Sequence, residues 1–408
     1  MSSFLIFIIV MTLLYIVLDT YFISKLAKIA KQRKWNKWVV RSLWISSAAS
    51  LFFLILIFSQ RILHTFDKEI LVNITKILTI WYLPKILIFL VAFPIDIIRF
   101  VKNIFLKLFK KNTTNTITQV VSSRRKFVQN TALSVAGIPF YLAVKGVAYN
   151  VSNVRVYREN IYLKDLPINL NDFKIVQISD LHLGSFPDKT AIIEMCHLIQ
   201  SLNPDIIFIT GDFVNFDVNE LDMGLEEVSK LKSKYGIYAI LGNHDHYMTD
   251  NEHQKLIKRI KESGISLLIN ENVILNINNE KINLVGVDNE GSKQKFADWE
   301  KAYKGIDKRN KTILLCHDPS NWDSNIIDKY PADLTLSGHT HGGQIALSFM
   351  GLELSPAQLI YKEYAGLYTN DDKQLYVNRG IGTSGPPMRL SMDPEVSLLI
   401  LKLENNIA

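Results

Sequence analysis

Five short clusters in this chain carry side chains able to ligate metal. They are Asp180-Leu181-His182, Gly211-Asp212, Gly242-Asn243-His244-Asp245, His317-Asp318 and Gly338-His339-Thr340-His341. Each closes an apolar, β-branched run: Ile175–Ser179, Ile206–Thr210, Tyr238–Leu241, Ile313–Cys316 and Leu334–Ser337. Such runs predict strands, and open α/β sheets place their sites at the carboxyl ends of strands. The i, i+2 spacing of Asp180/His182 and of His339/His341 predicts pairs on one side of an extended segment. Gly211, Gly242 and Gly338 permit the tight turns that bring backbones to a shared centre.

The donor set is Asp180, His182, Asp212, Asn243, His317, His339 and His341. It exceeds what one first-row ion normally takes and suits two ions that share a carboxylate. Oxygen and imidazole donors without thiolate suit Mn, Fe or Zn. Only Cys196 and Cys316 are present, which excludes a cysteine-based zinc site and a disulfide framework. Cys316 alternates away from His317 and is expected in the core. His246 is expected at the rim, and His64, His197 and His253 at the surface or satisfied in the core. Arg379 and Arg389 are candidates for substrate phosphate or for structural ion pairs. No P-loop, Ser-His-Asp order or Cys-His nucleophile competes.

Asp180-x-His182, Gly211-Asp212, Gly242-Asn243-His244-Asp245, His317 and Gly338-His339-Thr340-His341 together resemble the signature of the calcineurin-like metallophosphoesterases over about residues 160–405. Ser337–Gln344 and Asn378–Ser384 also resemble a bacterial subgroup of membrane-attached or exported phosphoesterases, which includes UDP-2,3-diacylglucosamine pyrophosphatases. The resemblance implies a four-layered α/β/β/α sandwich with two divalent or trivalent ions, manganese favoured over iron and zinc. It implies that Asp180, His182 and His341 hold one ion, Asn243, His317 and His339 the other, and that Asp212 bridges. It further implies attack by a metal-bridging hydroxide on a clamped phosphoryl group. His244 is then the candidate for stabilising the transition state or protonating the leaving oxygen, with Asp245 orienting it.

The elements that must position these residues form an α/β alternation. Further strands are expected at Ile161–Leu163, Val273–Ile277, Ile282–Val287, Gln374–Val377 and Ser397–Leu403, and helices at Asp188–Leu202, Leu221–Tyr235 and Asn251–Glu262. Asn150–Glu159 is the expected hinge, dividing a membrane region, residues 1–150, from a catalytic domain, residues 151–408.

The whole chain is 48% hydrophobic with a formal charge of +7, yet that charge is split. Residues 1–150 carry net +16 and residues 151–408 net −9. Phe4–Leu18 and Ser42–Ser59 are apolar all round and predict membrane spans. Ile77–Ile98 is a third, or an interfacial or re-entrant helix, interrupted by Pro84 and by Lys85, a costly residue in mid-span that must face protein or snorkel. Thr131–Tyr149 is a fourth, either spanning or interfacial. Residues 25–41 and 99–126 hold seven and eight basic side chains and no acid, which places both loops in the cytoplasm and 60–70 outside. Phe100–Lys111 has the pattern of a basic amphipathic helix on anionic headgroups. Ser123-Arg124-Arg125-Lys126-Phe127 resembles a twin-arginine signal or is the basic flank of the fourth span. If that run crosses, which the topology favours, the catalytic domain is extracytoplasmic.

The expected protein is therefore a membrane-anchored phosphoesterase acting on a phosphodiester or pyrophosphate bond, with a lipid-linked or envelope substrate favoured by the anchor. A nuclease is the nearest rival, and the −9 balance weighs against it because polyanion binding rests on basic surface. A protein phosphatase is a second enzymatic rival, and a non-catalytic membrane scaffold is a rival of a different class. No protein partner is predicted.

Overall fold

The computed structural model describes residues 3–63, 68–109, 137–148, 153–291, 294–349 and 352–404. Two compact units divide at Ala148 and Tyr149.

In the first unit, helices α1 (Ser3–Gln32), α2 (Lys37–Leu63) and α3 (Lys68–Phe109) contain apolar spans Ile8–Gln32, Lys37–Ile57 and Ile70–Lys107. Each is long enough to cross a bilayer, which needs about 20 residues. Pro84 and Pro94 lie inside α3 without ending it. A shorter apolar helix, α4, covers Gly137–Ala148. The start of the fourth apolar run, the Ser123–Phe127 motif and most of the second basic loop lie outside the described residues.

Lys85 faces protein. Its ammonium is 2.5 Å from Asp19 Oδ1 on α1, and both side chains are almost wholly buried. Tyr82 donates to the other oxygen of Asp19 at 3.1 Å, and the Trp81 ring lies 3.8 Å from the ammonium. A second bridge joins the same helices: Lys25 pairs with Asp96, which also accepts from Tyr21 at 2.7 Å. Partner numbers rise together along both helices, so α1 and α3 run parallel and these two contacts fix their register.

The second unit follows from its alternating apolar runs. Its strands are β1 (Arg155–Leu163), β2 (Lys174–Ile178), β3 (Ile206–Thr210), β4 (Ile237–Ile240), β5 (Ser266–Leu267), β6 (Glu271–Ile277) and β7 (Glu280–Gly286). They continue with β8 (Lys311–Leu315), β9 (Leu334–Ser337), β10 (Leu347–Phe349), β11 (Leu352–Leu354), β12 (Gly366–Asn370), β13 (Lys373–Val377) and β14 (Glu395–Leu403). One six-stranded sheet has the order β1-β14-β2-β3-β4-β5, a second has β12-β13-β9-β8-β7-β6, and β10 and β11 form a separate hairpin. Ile175, Phe208 and Ile240 of the first sheet pack with Leu284, Leu315, Leu336 and Tyr376 of the second in one apolar layer. The outer face of the first sheet is covered by α5 (Lys189–Ser201), α6 (Leu225–Ser229) and α7 (Asp250–Glu262), that of the second by α8 (Trp299–Ala302) and the Trp322–Ile326 turn. This is the expected α/β/β/α sandwich.

Two expectations are corrected. The helix expected over Leu221–Tyr235 is a 3-10 turn, Val218–Met223, followed by the short α6. Gly224 interrupts it, where a Cβ would stand 2.6 Å from Ile192 on α5. The expected hinge Asn150–Glu159 overlaps β1, because Arg155–Glu159 pair in parallel with Glu395–Leu399. Their polar edge pattern hid a strand whose partner lies at the far end of the chain.

The buried membrane pair generates a prediction. Lys85→Met alone strands an unpaired carboxylate and lowers stability by about 3–5 kcal/mol, whereas Asp19→Leu with Lys85→Met returns close to wild type. Unfolding by SDS titration in mixed micelles reads both; equal losses for single and double variants would contradict it.

Candidate metal centre

The carboxyl ends of β2, β3 and β4, adjacent and parallel in one sheet, deliver Asp180/His182, Asp212 and Asn243/His244 to one edge. The ends of β8 and β9, adjacent and parallel in the other, deliver His317 and His339/His341. Stacking the two sheets brings these five loops together. Backbone hydrogen bonds lock them: Asp180 N–H donates to Gly211 O at 2.9 Å, His182 N–H to Asp212 O at 3.0 Å, and Gly338 N–H to His317 O at 3.0 Å. Loop approach is so close that a Cβ at Gly338 would stand 1.9 Å from Ser179 Oγ, and one at Gly242 2.3 Å from Asp212 Oδ1.

The i, i+2 pairs are not extended, which corrects the expectation for them. Asp180, His182, Asp212, His339 and His341 all have φ between 40° and 71°, in the left-handed region. Non-glycine residues held there store backbone strain, which concentrates at functional sites. The turn also sends the two members of one pair to different partners. His341 Nε2 lies 3.3 Å from Asp180 Oδ1 and 3.1 Å from His182 Nε2. His339 Nδ1 instead lies 2.7 Å from Asn243 Oδ1, which is 3.1 Å from His317 Nε2. Between the groups, Asp212 Oδ2 is 3.6 Å from His182 Nε2 and 3.3 Å from His317 Nε2.

The outward nitrogen of each ring is fixed. His182 Nδ1 donates to Val214 O at 3.2 Å, His317 Nδ1 to Thr210 O at 2.6 Å, and His244 Nδ1 to Asn215 O at 2.8 Å. A carbonyl only accepts, so these rings turn Nε2 inward, as metal-ligating histidines do. His339 Nε2 meets Tyr361 Oη at 2.9 Å, leaving Nδ1 inward. Burial lowers His182 to about 3 and, with His182 beside it, holds His341 well below the usual histidine range. Burial opposes charge on Asp212, but His317 and its neighbours hold that carboxyl well below its ordinary value. Burial likewise works against a charge on His317, yet the Asp212 carboxylate raises it to about 10. Burial raises Asp180 to about 6. Neutral His182 and His341 around an ionised Asp212, with positive charge favoured beside that carboxylate at His317, form a donor set that fits divalent cations. Asp180/His182/His341, His182/Asp212/His244 and Asp180/Asp212/His317 are each compact enough to hold one.

Asp245 does not orient His244. Its carboxylate accepts from the backbone N–H groups of Gly242, Asp212, Phe213 and Val214 at 2.9–3.3 Å. It thereby holds the loop that carries Asp212, while His244 is set by Asn215 O and by Ser384 Oγ, 3.2 Å from Nε2. Adjacency in sequence suggested the His244–Asp245 pairing; two turns of backbone with unsatisfied donors claimed the carboxylate first.

Sequence spacing missed Tyr361 and Ser384, because each reaches the centre from a remote loop, whereas Arg389, a candidate for substrate phosphate or for a structural ion pair, is buried against it. Arg389 Nη2 donates to Gly382 O at 2.6 Å and lies 3.2 Å from His341 Nδ1, which makes it a buried brace. Arg379 pairs with Glu395 at 2.8 Å. His246 is 2.8 Å from Asp288, and His253 Nδ1 donates to Asp245 O at 2.8 Å, so both are satisfied at the periphery. His197 is exposed and Cys316 is buried in the core. His64 lies outside the described residues.

Comparison with known proteins matches residues 173–343 to the calcineurin-like phosphoesterase family. Residues 2–151 match a family described as a probable calcineurin-like phosphoesterase, transmembrane domain. An uncharacterised metallophosphoesterase of Aquifex aeolicus is 33% identical over 258 residues, covering 62% of this chain and 94% of that one. A transmembrane protein with metallophosphoesterase domain from Danio rerio is 30% identical over 271 residues, covering 64% of this chain. The match spans only 60% of that relative's length. A solved dimetal phosphatase from Danio rerio aligns with 57% of this chain and 93% of its own at 11% identity, with a TM-score of 0.33.

Tyr361 holds one ring nitrogen of His339, and removing such a partner typically costs 10–100-fold in metal affinity. Tyr361→Phe is expected to weaken one of two binding steps by roughly 10-fold or more while leaving the other near wild type, read by calorimetric manganese titration of the stripped protein. Two unchanged steps would contradict it.

Proposed function

The chain belongs to the calcineurin-like metallophosphoesterases, and on that premise we propose that it hydrolyses a phosphodiester or pyrophosphate bond of a lipid-linked or envelope substrate. It is a membrane protein and a metal-dependent phosphoric ester hydrolase; the substrate class is our inference. The observation that carries the proposal is the position of Asp212 Oδ2 between His182 and His317, at 3.6 Å and 3.3 Å, joining two donor groups into one centre.

Asp180, His182 and His341 would hold one ion and Asn243, His317 and His339 the other, with Asp212 shared. Manganese is our favoured ion for this oxygen and imidazole set, which also suits iron and zinc. When bound, two such ions supply concentrated positive charge that polarises phosphoryl oxygens and makes water nucleophilic at neutral pH. The remaining steps fall to the chain. Burial of the donors excludes bulk water and strengthens every charge interaction at the centre. His244 presents Nε2 beside that centre, its ring 4.7 Å from His182 between centroids, with the proton on Nδ1 committed to Asn215 O. Carrying a second proton on Nε2, the ring would hand that proton to the leaving oxygen or donate it to the developing charge, and return to the neutral form with its Nδ1 proton still on Asn215 O. Ser384 Oγ restrains that nitrogen, and Asp245 keeps the Asp212 loop from moving as charge shifts.

The proposed organisation is a membrane region, residues 1–150, and a catalytic region, residues 151–408, on the extracytoplasmic side. Positive loops on the opposite side of the first three spans support this placement.

Manganese-loaded protein is expected to cleave bis-p-nitrophenyl phosphate. Asp212→Ala or His244→Ala should cut kcat by roughly 100-fold or more, the scale of losing a charge stabiliser or general acid. Chelation should abolish turnover and added manganese restore it. Undiminished turnover in both variants would sink the assignment. A reporter active only outside the cytoplasm, fused after Ala408, is expected to be active; an inactive reporter would reverse the topology.

A further inference from the structure

The two most exposed large apolar side chains among the described residues lie neither in the membrane helices nor on the outer helices of the sandwich. They are Leu359, at 90% exposure, and Ile360, at 76%. Each exceeds every apolar side chain described on α1, α2 and α3. They sit side by side just after the β10–β11 hairpin, and Leu354, at the end of β11, is also exposed.

This tip is built, not frayed. Ser355 and Gln358 form a reciprocal cap on the Pro356–Leu359 turn, Ser355 Oγ donates to Gly342 O at 2.5 Å, and Tyr361 N–H donates to Ala357 O at 2.8 Å. Ala357 is buried beneath it, so the turn is pinned from inside while its two largest apolar groups are held out in water. The next residue is Tyr361, whose hydroxyl is 2.9 Å from His339 Nε2. One end of the tip is thus a single residue from a side chain that touches the metal centre. Phe216 and Tyr247 flank His244 with centroids 5.4 Å and 4.8 Å away, and both side chains are about half exposed. None of Leu354, Leu359 and Ile360 falls within the residues matched to the phosphoesterase family, 173–343.

We propose that the Leu354–Ile360 tip inserts into the acyl region of a lipid bilayer and seats the metal centre, with Tyr361, at headgroup level. The occupant follows from the rest of the chain. Three bilayer-length helices keep this protein on a membrane permanently, so lipid is the apolar phase always within its reach. A Leu-Ile pair followed by a tyrosine has the order of an interfacial anchor, with the amphipathic ring at the headgroup level and the aliphatic groups deeper. Lys362 next in line has an exposed side chain whose ammonium pairs with Asp323 at 2.8 Å and Glu363 at 3.3 Å, so the aliphatic pair and not this charge carries the anchor. With the tip submerged, the phosphate of a membrane amphiphile lies at the depth of the centre, and the Phe216–Tyr247 edge meets its apolar part. This deepens the proposed phosphoesterase reading, on which the substrate statement rests; the insertion itself does not require it.

The test uses the full chain in phosphatidylcholine nanodiscs. Cys196 and Cys316 are both buried, so a nitroxide placed by Leu359→Cys reports from one site, and Lys258→Cys on exposed α7 serves as the aqueous control. The label at 359 should collide with an aqueous nickel chelate about 5-fold less than the control while remaining accessible to oxygen, as at 5–10 Å depth. Nickel accessibility equal to the control would overturn the proposal. So would loss of both accessibilities, which means burial in protein, or dipolar broadening from a second copy. A second arm compares wild type with Leu359→Ser/Ile360→Ser: turnover of bis-p-nitrophenyl phosphate should be unchanged, while apparent KM for a phosphate lipid in the nanodisc should rise about 10-fold. Equal KM values for variant and wild type would overturn the tip's role. Wild-type protein that hydrolyses neither compound, with the 359 label still submerged, would instead overturn the phosphoesterase reading alone.

Discussion

Everything in the catalytic unit depends on keeping a buried carboxylate ionised between histidines. Asp212 is removed from water, which by itself disfavours its charge, and it is held charged by His317 and its neighbours. Desolvating such a group is costly unless it is paired and hydrogen-bonded. The surroundings meet that demand in layers: imidazoles on both sides, the His244 N–H donating to Asp212 Oδ1 at 2.8 Å, and Asp245 gathering the N–H groups of the same loop. A bound cation would complete the compensation, which is why the donors can be this close and this dry.

The backbone conformations follow from that constraint. To aim five donors inward from loops that touch one another, the chain places Asp180, His182, Asp212, His339 and His341 in left-handed turns. Strands alone would alternate these side chains between faces or line them up on one. The turns break both patterns and let His339 and His341, two residues apart, serve opposite ends of the centre. Two rigid sheets and interloop hydrogen bonds hold these strained turns in place.

Charge burial is handled by a simpler device in the membrane unit. Asp19 and Lys85 neutralise each other and are boxed by Tyr82 and Trp81, so a residue that looks prohibitive in an apolar run becomes a register pin between α1 and α3. The +7 of the whole chain accordingly describes neither unit, since the basic excess lies in membrane-flanking loops and the acidic excess in the catalytic unit.

Much of this was legible in the residues. Apolar run lengths located three candidate spans, alternating runs located most strands, and the placement of Asp, Asn and His after five of those runs picked out candidate ligands that the fold brings together. Those features are local, because a strand, a span and the residue following it are written contiguously. What stayed hidden was non-local. β1 found its partner in β14, some 240 residues away, and Tyr361 and Ser384 reach the centre from loops whose spacing carries no signal. Asp245 was assigned to its sequence neighbour, yet its carboxylate went to four N–H groups that folding brought to it. Sequence therefore determined which atoms could bind metal; tertiary structure decided which nitrogen each ring offers, which donors share a side, and what stands behind them. Those choices rest on hydrogen bonds between distant loops, and such bonds exist only once two sheets are stacked.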